Sequence, residues 1–119
     1  MSTSLENKVV WITGGGSGIG LAGAIELVNA GAHVVISGRN PDTTATALKM
    51  LQSLPRPGSA RAIVLDVADK HAVLATANAI VAEHGHIDIV VNSAGINTPK
   101  RNLDNLTLDA WDDVVNINL

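Results

Sequence analysis

TGGGSGIG, residues 13–20, is the stretch of this chain that decides its fold. It follows an apolar run at residues 9–12 and opens a helix-patterned stretch at residues 21–30. Glycines let the backbone turn tightly and approach a ligand closely, and a helix N-terminus offers unpaired N–H groups with a partial positive charge. A strand that runs through such a turn into a helix predicts a pocket for the pyrophosphate of a dinucleotide, although similar glycines also occur in ordinary strand-to-helix turns.

The glycines of this stretch can be aligned in two registers. The simple pattern G-x-G-x-x-G fits Gly18, Gly20 and Gly23, but it starts too far beyond the strand to form the turn itself. The pattern T-G-x-x-x-G-x-G begins directly at the end of the strand and assigns the working positions to Gly14, Gly18 and Gly20. We therefore prefer the second register.

The composition indicates one globular domain of 119 residues, with 46% hydrophobic and 16% charged residues. A net charge of −3 argues against nucleic acid or an anionic membrane as a partner, and no apolar run approaches the roughly 20 residues of a membrane span. The absence of cysteine excludes disulfides and zinc–cysteine sites, and the four histidines lack the spacing of metal ligands. We expect no metal, no signal peptide and a cytoplasmic location.

Strand-like and helix-like segments alternate, which predicts an α/β fold with a doubly wound parallel sheet. The strands are predicted at residues 9–13, 33–37, 62–65 and 87–91, each buried on both faces, in the order 3-2-1-4. The fourth strand is expected to form an exposed edge of the sheet.

The helices between these strands carry recognisable end signals. The first is predicted to end at Gly31, and the second to begin at Asn40 as N-cap, followed by Pro41. The third is predicted to run from its cap at Asp69 to Gly85. A last helix is predicted to start at a Thr107 cap and to contain Trp111, Val114 and Val115.

The pattern at residues 13–20 resembles that of the short-chain dehydrogenase/reductase family, and three further motifs follow in the family's order. Asp66-Val67 follows the third apolar run, Asn92-Ser93-Ala94-Gly95 is similar to N-N-A-G with serine second, and residues 115–119 resemble the V-N-L segment. The resemblance implies the N-terminal part of a Rossmann domain. It also implies an oxidoreductase that moves a hydride between C4 of a nicotinamide and a small-molecule alcohol or carbonyl compound.

The resemblance assigns cofactor binding to a set of positions on the turns that follow the strands. They are Gly14, Ser17, Gly18, Ile19, Gly20, Arg39, Asn40, Asp66, Val67, Asn92, Ala94 and Gly95. Asp66 would accept a hydrogen bond from the adenine amino group, although an isolated aspartate here would be read as a turn or cap residue. Asn92 would bridge backbone groups inside the sheet, while Ala94 and Gly95 would let the backbone line the nicotinamide ribose.

The residue after the second strand distinguishes NADP from NAD. An acidic side chain there binds the ribose hydroxyls of NAD, and a basic one pairs with the 2′-phosphate of NADP. This chain has Gly38 at the acidic position and Arg39 next, with Ser17 and Asn40 as neutral phosphate neighbours. We expect NADP to be preferred and keep NAD open, since Ser17 stands where some NADP-dependent members carry a second basic residue, and Arg39 alone could be a solvated loop residue.

The chain contains no tyrosine. In the family, a serine and a Tyr-x-x-x-Lys motif carry the chemistry, and they would lie beyond Leu119. Asn118 matches the asparagine that holds a water beside the catalytic lysine, although an isolated asparagine in a helix would be read as a packing or kink residue. We therefore expect the cofactor half of a homo-oligomeric reductase, a dimer or tetramer, which is inactive by itself. The alternative is a non-enzymatic dinucleotide-binding or interaction module that ends at Leu119.

Overall fold

The computed structural model describes residues 5–16, 18–55, 58–93 and 115–118. Its strands are β1 (Val9–Thr13), β2 (His33–Gly38), β3 (Ser59–Val64), β4 (Ile89–Asn92) and β5 (Val115–Asn118). Its helices are α1 (Gly18–Asn29), α2 (Pro41–Gln52) and α3 (Lys70–His84). The strands form one parallel sheet in the order β3-β2-β1-β4-β5, so the predicted doubly wound sheet and the order of its first four strands are confirmed.

The helices cover both faces of the sheet because alternate strand residues point to opposite sides. On one face, Trp11 and Val90 pack against Val73 and Ile80 of α3. On the other face, the β1 and β2 side chains in between pack against α1 and α2. Every residue of β1 is buried, which makes this strand the centre of the domain.

The predicted helix ends are confirmed by the backbone and by the side-chain caps. The Asn40 side chain accepts hydrogen bonds from two backbone N–H groups in the first turn of α2, directly before Pro41. Asp69 caps α3 in the same way. Gly31 and Gly85 follow α1 and α3 with φ angles of 98° and 90°, a left-handed conformation that glycine adopts without strain.

Strand β3 differs from the prediction in its start and in its burial. It begins at Ser59 rather than at Ala62, and its residues are either exposed or partly buried, none of them fully buried. The reason is its position at the edge of the sheet, beside β2 alone among the described strands. An edge strand can include polar residues such as Arg61, which a search for continuous apolar runs passes over.

The C-terminal segment also differs from the prediction. Val115 was predicted inside a helix and β4 was predicted to be an exposed edge, but residues 115–118 form strand β5, parallel to β4. The pairing satisfies backbone groups along β4 that a helix would have left open. The sequence Val115-Asn116-Ile117-Asn118 alternates with the period of a strand. The other predicted residues of that helix, from Thr107 to Val114, lie outside the described residues.

Candidate functional site

The candidate site lies at the carboxyl edge of the sheet, where four turns meet. The glycine-rich turn follows β1, Arg39 follows β2, Asp66 follows β3, and Ser93 follows β4. The chain adds β2 and β3 on one side of β1 and β4 on the other, so the connections diverge on either side of β1. Open α/β sheets bind ligands in the crevice at such a divergence.

The glycine-rich turn is fixed against the end of β2 by backbone hydrogen bonds. The N–H groups of Gly14 and Gly15 both donate to the carbonyl oxygen of Ser37, at 2.6 and 3.3 Å. Gly14 and Gly18 have φ angles of 77° and 59°, which residues with a Cβ rarely adopt. These two glycines therefore need their residue type for the turn itself.

Gly20 needs its residue type because of a close approach rather than a backbone angle. A Cβ added there would lie 2.3 Å from the carbonyl oxygen of Gly14 and 2.6 Å from Ser93 Oγ. By contrast, a Cβ at Gly23 would meet nothing within 4 Å. The clearances favour the register that assigns Gly14, Gly18 and Gly20 to the turn over the register that includes Gly23.

Gly15 also belongs to the turn, although no prediction singled it out. Its added Cβ would lie 2.6 Å from Ile36 Cγ2, because the turn passes directly over the end of β2. The run of three consecutive glycines at residues 14–16 was the signal available for this. Such a run indicates a turn with little space for side chains, but it does not indicate that Ile36 is the neighbouring residue.

The ends of β1 and β4 are joined through Thr13, Asn92 and Ser93. The Thr13 hydroxyl donates to the Asn92 side-chain oxygen at 3.1 Å, and the exposed fraction of Asn92 is 7%. The Ser93 hydroxyl donates to the carbonyl oxygen of Thr13 at 2.7 Å, and the Ser93 N–H donates to the same oxygen at 3.0 Å. Asn92 thus accepts a hydrogen bond from a neighbouring side chain through its Oδ1, and the bridging of backbone groups that the family resemblance implies stays a prediction.

Arg39 and Asn40 follow β2 at the surface, and their side chains differ in availability. Asn40 Oδ1 is occupied as the cap of α2, which leaves its amide NH₂ for a ligand. Arg39 is exposed, and within residues 5–16, 18–55 and 58–93 its guanidinium takes part in none of the ion pairs, which involve Arg61, His84 and His86. Its cationic group is accordingly free to meet an anion at this edge.

The remaining predicted positions divide into four groups. Asp66 is exposed, and its Oδ1 accepts from the N–H of Ala68 at 2.9 Å in a local turn, while Val67 beside it is partly buried. Ile19 is 69% exposed in the first turn of α1. Asn118 pairs in register with Asn92 at the carboxyl end of β5. Ser17, Ala94 and Gly95 lie outside the described residues.

An open cleft of about 280 Å³ lies beside the glycine-rich turn, between α1 and α2. Gly16 and Thr43 line it on the side of the turn, and Leu21 and Met50 supply apolar walls. A Cβ at Gly16 would lie 3.2 Å from Thr43 Cγ2, so the turn and α2 are close together here.

A histidine cluster lies at the opposite, amino edge of the sheet. The rings of His33 and His84 are stacked with centroids 5.3 Å apart. Burial lowers the pKa of His84, the positive charges of His33, Arg61 and His86 lower it further, and Glu83 raises it. Among the described residues no three His, Cys, Asp or Glu side chains are arranged to hold a metal ion. These rings pack against each other and are remote from the candidate site.

The chain belongs to the short-chain dehydrogenase family, whose model, described as short chain dehydrogenase, matches residues 8–119. It is 33% identical over 99% of its length to Short chain dehydrogenase/reductase dpchG of Colletotrichum higginsianum, and 35% identical over 97% to the 3-oxoacyl-[acyl-carrier-protein] reductase FabG of Thermotoga maritima. It covers 43% and 46% of these two proteins, so it spans less than half the length of the relatives.

Solved structures show the same fold with either nicotinamide cofactor. NAD⁺-bound xylitol dehydrogenase matches 86% of this chain, which covers 42% of that protein, with a TM-score of 0.73 and 27% identity. A metagenomic short-chain oxidoreductase in complex with NADP matches 78%, with 41% of that protein covered, a TM-score of 0.73 and 32% identity. The chain therefore has the Rossmann-type fold of an oxidoreductase family whose solved structures include complexes with NAD⁺ and with NADP.

None of the three described helices is long and apolar enough to cross a bilayer.

Proposed function

We propose that this chain is the cofactor-binding half of an NADP(H)-dependent reductase. In the complete protein, hydride transfer would take place between C4 of the nicotinamide and a small alcohol or carbonyl compound. The proposal is supported by the family membership and by the glycine-rich turn, which leads into the N-terminus of α1. N–H groups at a helix N-terminus favour the pyrophosphate of a dinucleotide.

The single observation that carries the cofactor preference is the exposed Arg39, which is free of ion pairs within the described residues and directly follows Gly38. Gly38 is the last residue of β2, and the neighbouring Ser37 carbonyl binds the glycine-rich turn. A ribose held beside that turn would present its 2′-substituent to the residues after β2. Arginine offers a planar, permanently charged group to a phosphate there, while an NAD-type carboxylate is missing from positions 37–41.

The other assigned positions would serve the rest of the cofactor. Asp66 has one carboxylate oxygen in a local turn, and the other could accept from the adenine amino group. Asn92, Ala94 and Gly95 would line the nicotinamide ribose at the end of β4. Asn118, beside Asn92, would hold a water for the catalytic lysine of the complete protein.

The variant Arg39→Asp in the full-length protein tests the cofactor preference. The change removes a charge-assisted hydrogen bond of about 1.5–3 kcal/mol and adds a repulsive charge, so the NADP/NAD ratio of kcat/KM should fall at least about tenfold. Lys49→Asp makes the same change of charge at the other end of α2 and is the matched control. An equal change of the ratio in both variants, or none in Arg39→Asp, would contradict the assignment.

We also propose that the complete protein is a homo-oligomer, as its family resemblance implies. Sedimentation of the full-length protein would test this, and a monodisperse monomer at micromolar concentration would contradict it.

A further inference from the structure

Gly38 ends β2 although its backbone conformation does not require glycine. The described glycines with a positive φ angle are four others: Gly14, Gly18, Gly31 and Gly85. Glycine within a strand also weakens that strand, because it has no side chain to pack. The reason for glycine at this position therefore lies in its surroundings.

The close neighbour of Gly38 across from the strand is the hydroxyl of Thr44. A Cβ added at Gly38 would lie 3.0 Å from Thr44 Oγ1, and no other described atom outside the adjoining residues would lie within 4 Å of it. Ordinary contacts of a Cβ begin at about 3.4 Å. A side chain at position 38 therefore requires the strand or the helix to move by a few tenths of an ångström.

Both sides of this contact are held in place. The Gly38 carbonyl accepts a hydrogen bond from the Leu65 N–H at 2.8 Å, and Gly38 pairs with Val64 in the sheet. Thr44 is 3% exposed near the start of α2, where the Asn40 side chain caps the helix. A β-branched side chain in a helix has few alternative rotamers. The conflict would therefore persist if a side chain were introduced at position 38.

Within the described parts of the chain, the Thr44 hydroxyl makes no hydrogen bond. A threonine inside a helix commonly donates to the carbonyl four residues earlier, as Thr76 of α3 does to Ala72 at 2.8 Å. A buried hydroxyl without an acceptor destabilises a fold. The stability of the fold therefore gives no reason for threonine at position 44.

We propose that Thr44 is a positioning residue for cofactor specificity, because it keeps position 38 free of a side chain. The inference rests on the proposed function, in which the ribose lies beside the residues that follow β2. A carboxylate at position 38 would accept hydrogen bonds from the ribose hydroxyls of NAD. With Thr44 in place, that carboxylate would be displaced from the ribose. NADP preference thus has two parts: Arg39 attracts the 2′-phosphate, and Thr44 opposes the group that would recognise NAD.

A double-mutant cycle in the full-length protein tests the inference, with NADH and NADPH affinities measured by isothermal titration calorimetry. Gly38→Asp alone should change the NADH affinity by less than about twofold. Gly38→Asp combined with Thr44→Ala should raise it at least about fivefold, as one hydrogen bond to a carboxylate predicts. The matched control combines Gly38→Asp with Thr76→Ala, which changes a buried threonine on the other face of the sheet and should give no such gain.

Urea unfolding measures the packing conflict separately and without a ligand, and it decides the inference if Gly38→Asp does not fold. Gly38→Ala should lower the urea midpoint in the native background, but not in the Thr44→Ala background, where Oγ1 is absent. Equal midpoint changes in the two backgrounds would overturn the inference.

Two binding results would also overturn the inference: an equal NADH gain with and without Thr44→Ala, or no gain in the double variant. Failure of the native protein to bind either cofactor has a different meaning. It would overturn the proposed function, and the inference with it, even if the urea midpoints showed the packing conflict between Gly38→Ala and Thr44.

Discussion

Replacing Gly20 by alanine should destabilise the protein, whereas the same replacement at Gly23 should stabilise it. Both glycines lie in α1, where alanine is the better helix former by about 0.5–1 kcal/mol. At Gly20 the added methyl would lie 2.3 Å from a backbone carbonyl, and restoring a contact of 3.0 Å requires a displacement of roughly 0.7 Å. Overpacking of this kind costs about 1–3 kcal/mol.

The gain in helix propensity is common to both variants, so they should differ by the overpacking cost of about 1–3 kcal/mol in their free energy of unfolding, with Gly20→Ala below the native protein and Gly23→Ala above it. Urea unfolding followed by circular dichroism measures this difference. Gly23→Ala serves as the control for helix propensity, since its methyl would meet nothing within 4 Å. Equal stability of the two variants would refute the close approach of α1 to the turn.

Three further outcomes are expected. Thr13→Val should lower the free energy of unfolding by about 1–3 kcal/mol in urea titrations, because it leaves the buried Asn92 oxygen without its donor, while Thr13→Ser should lie near the native value. Stability should fall as the pH drops below about 6.5: the folded-state pKa of His84 is lowered, so the unfolded chain binds more protons in that window. Urea midpoints of His84→Gln should depend less on pH, and parallel profiles would contradict this. Purified residues 1–119 should show no NADPH-linked turnover of alcohols or ketones, since the chain has no tyrosine to act as the family's acid/base, and measurable turnover would contradict the mechanism.

The parts of the fold that could be predicted are those that local sequence determines. Asn40 and Asp69 cap helices through hydrogen bonds to residues two or three positions away, and Gly31 and Gly85 end them through their own backbone angle. The strand order was predicted from the alternation of strand-like and helix-like segments and from the right-handed crossover rule, which almost all parallel sheets obey. Such signals need no knowledge of distant contacts.

The missed features depend on partners far away in the sequence. The hydrogen bond from the Ser93 hydroxyl to the Thr13 carbonyl joins residues 80 positions apart, and the sequence around Ser93 does not predict it. Residues 115–118 alternate in a way that suits a strand, but four residues cannot distinguish a strand from a helix end without the open edge of β4. The roles of the cofactor-binding positions stay predictions, including those of Ser17, Ala94 and Gly95, which lie outside the described residues.

The central position of β1 has a consequence for the synthesis of the protein. β1 is made early, and its partner β2 follows soon, but the neighbour on its other side arrives much later: the Val9 N–H donates to the carboxylate of Asp88, which directly precedes β4 and lies 79 positions further along the chain. At roughly 5–20 residues per second, the ribosome needs about 4–16 s for that interval. For that time the most apolar strand of the domain has one edge unpaired, and because an unpaired strand edge can pair with another chain, the nascent protein is exposed to association until β4 emerges.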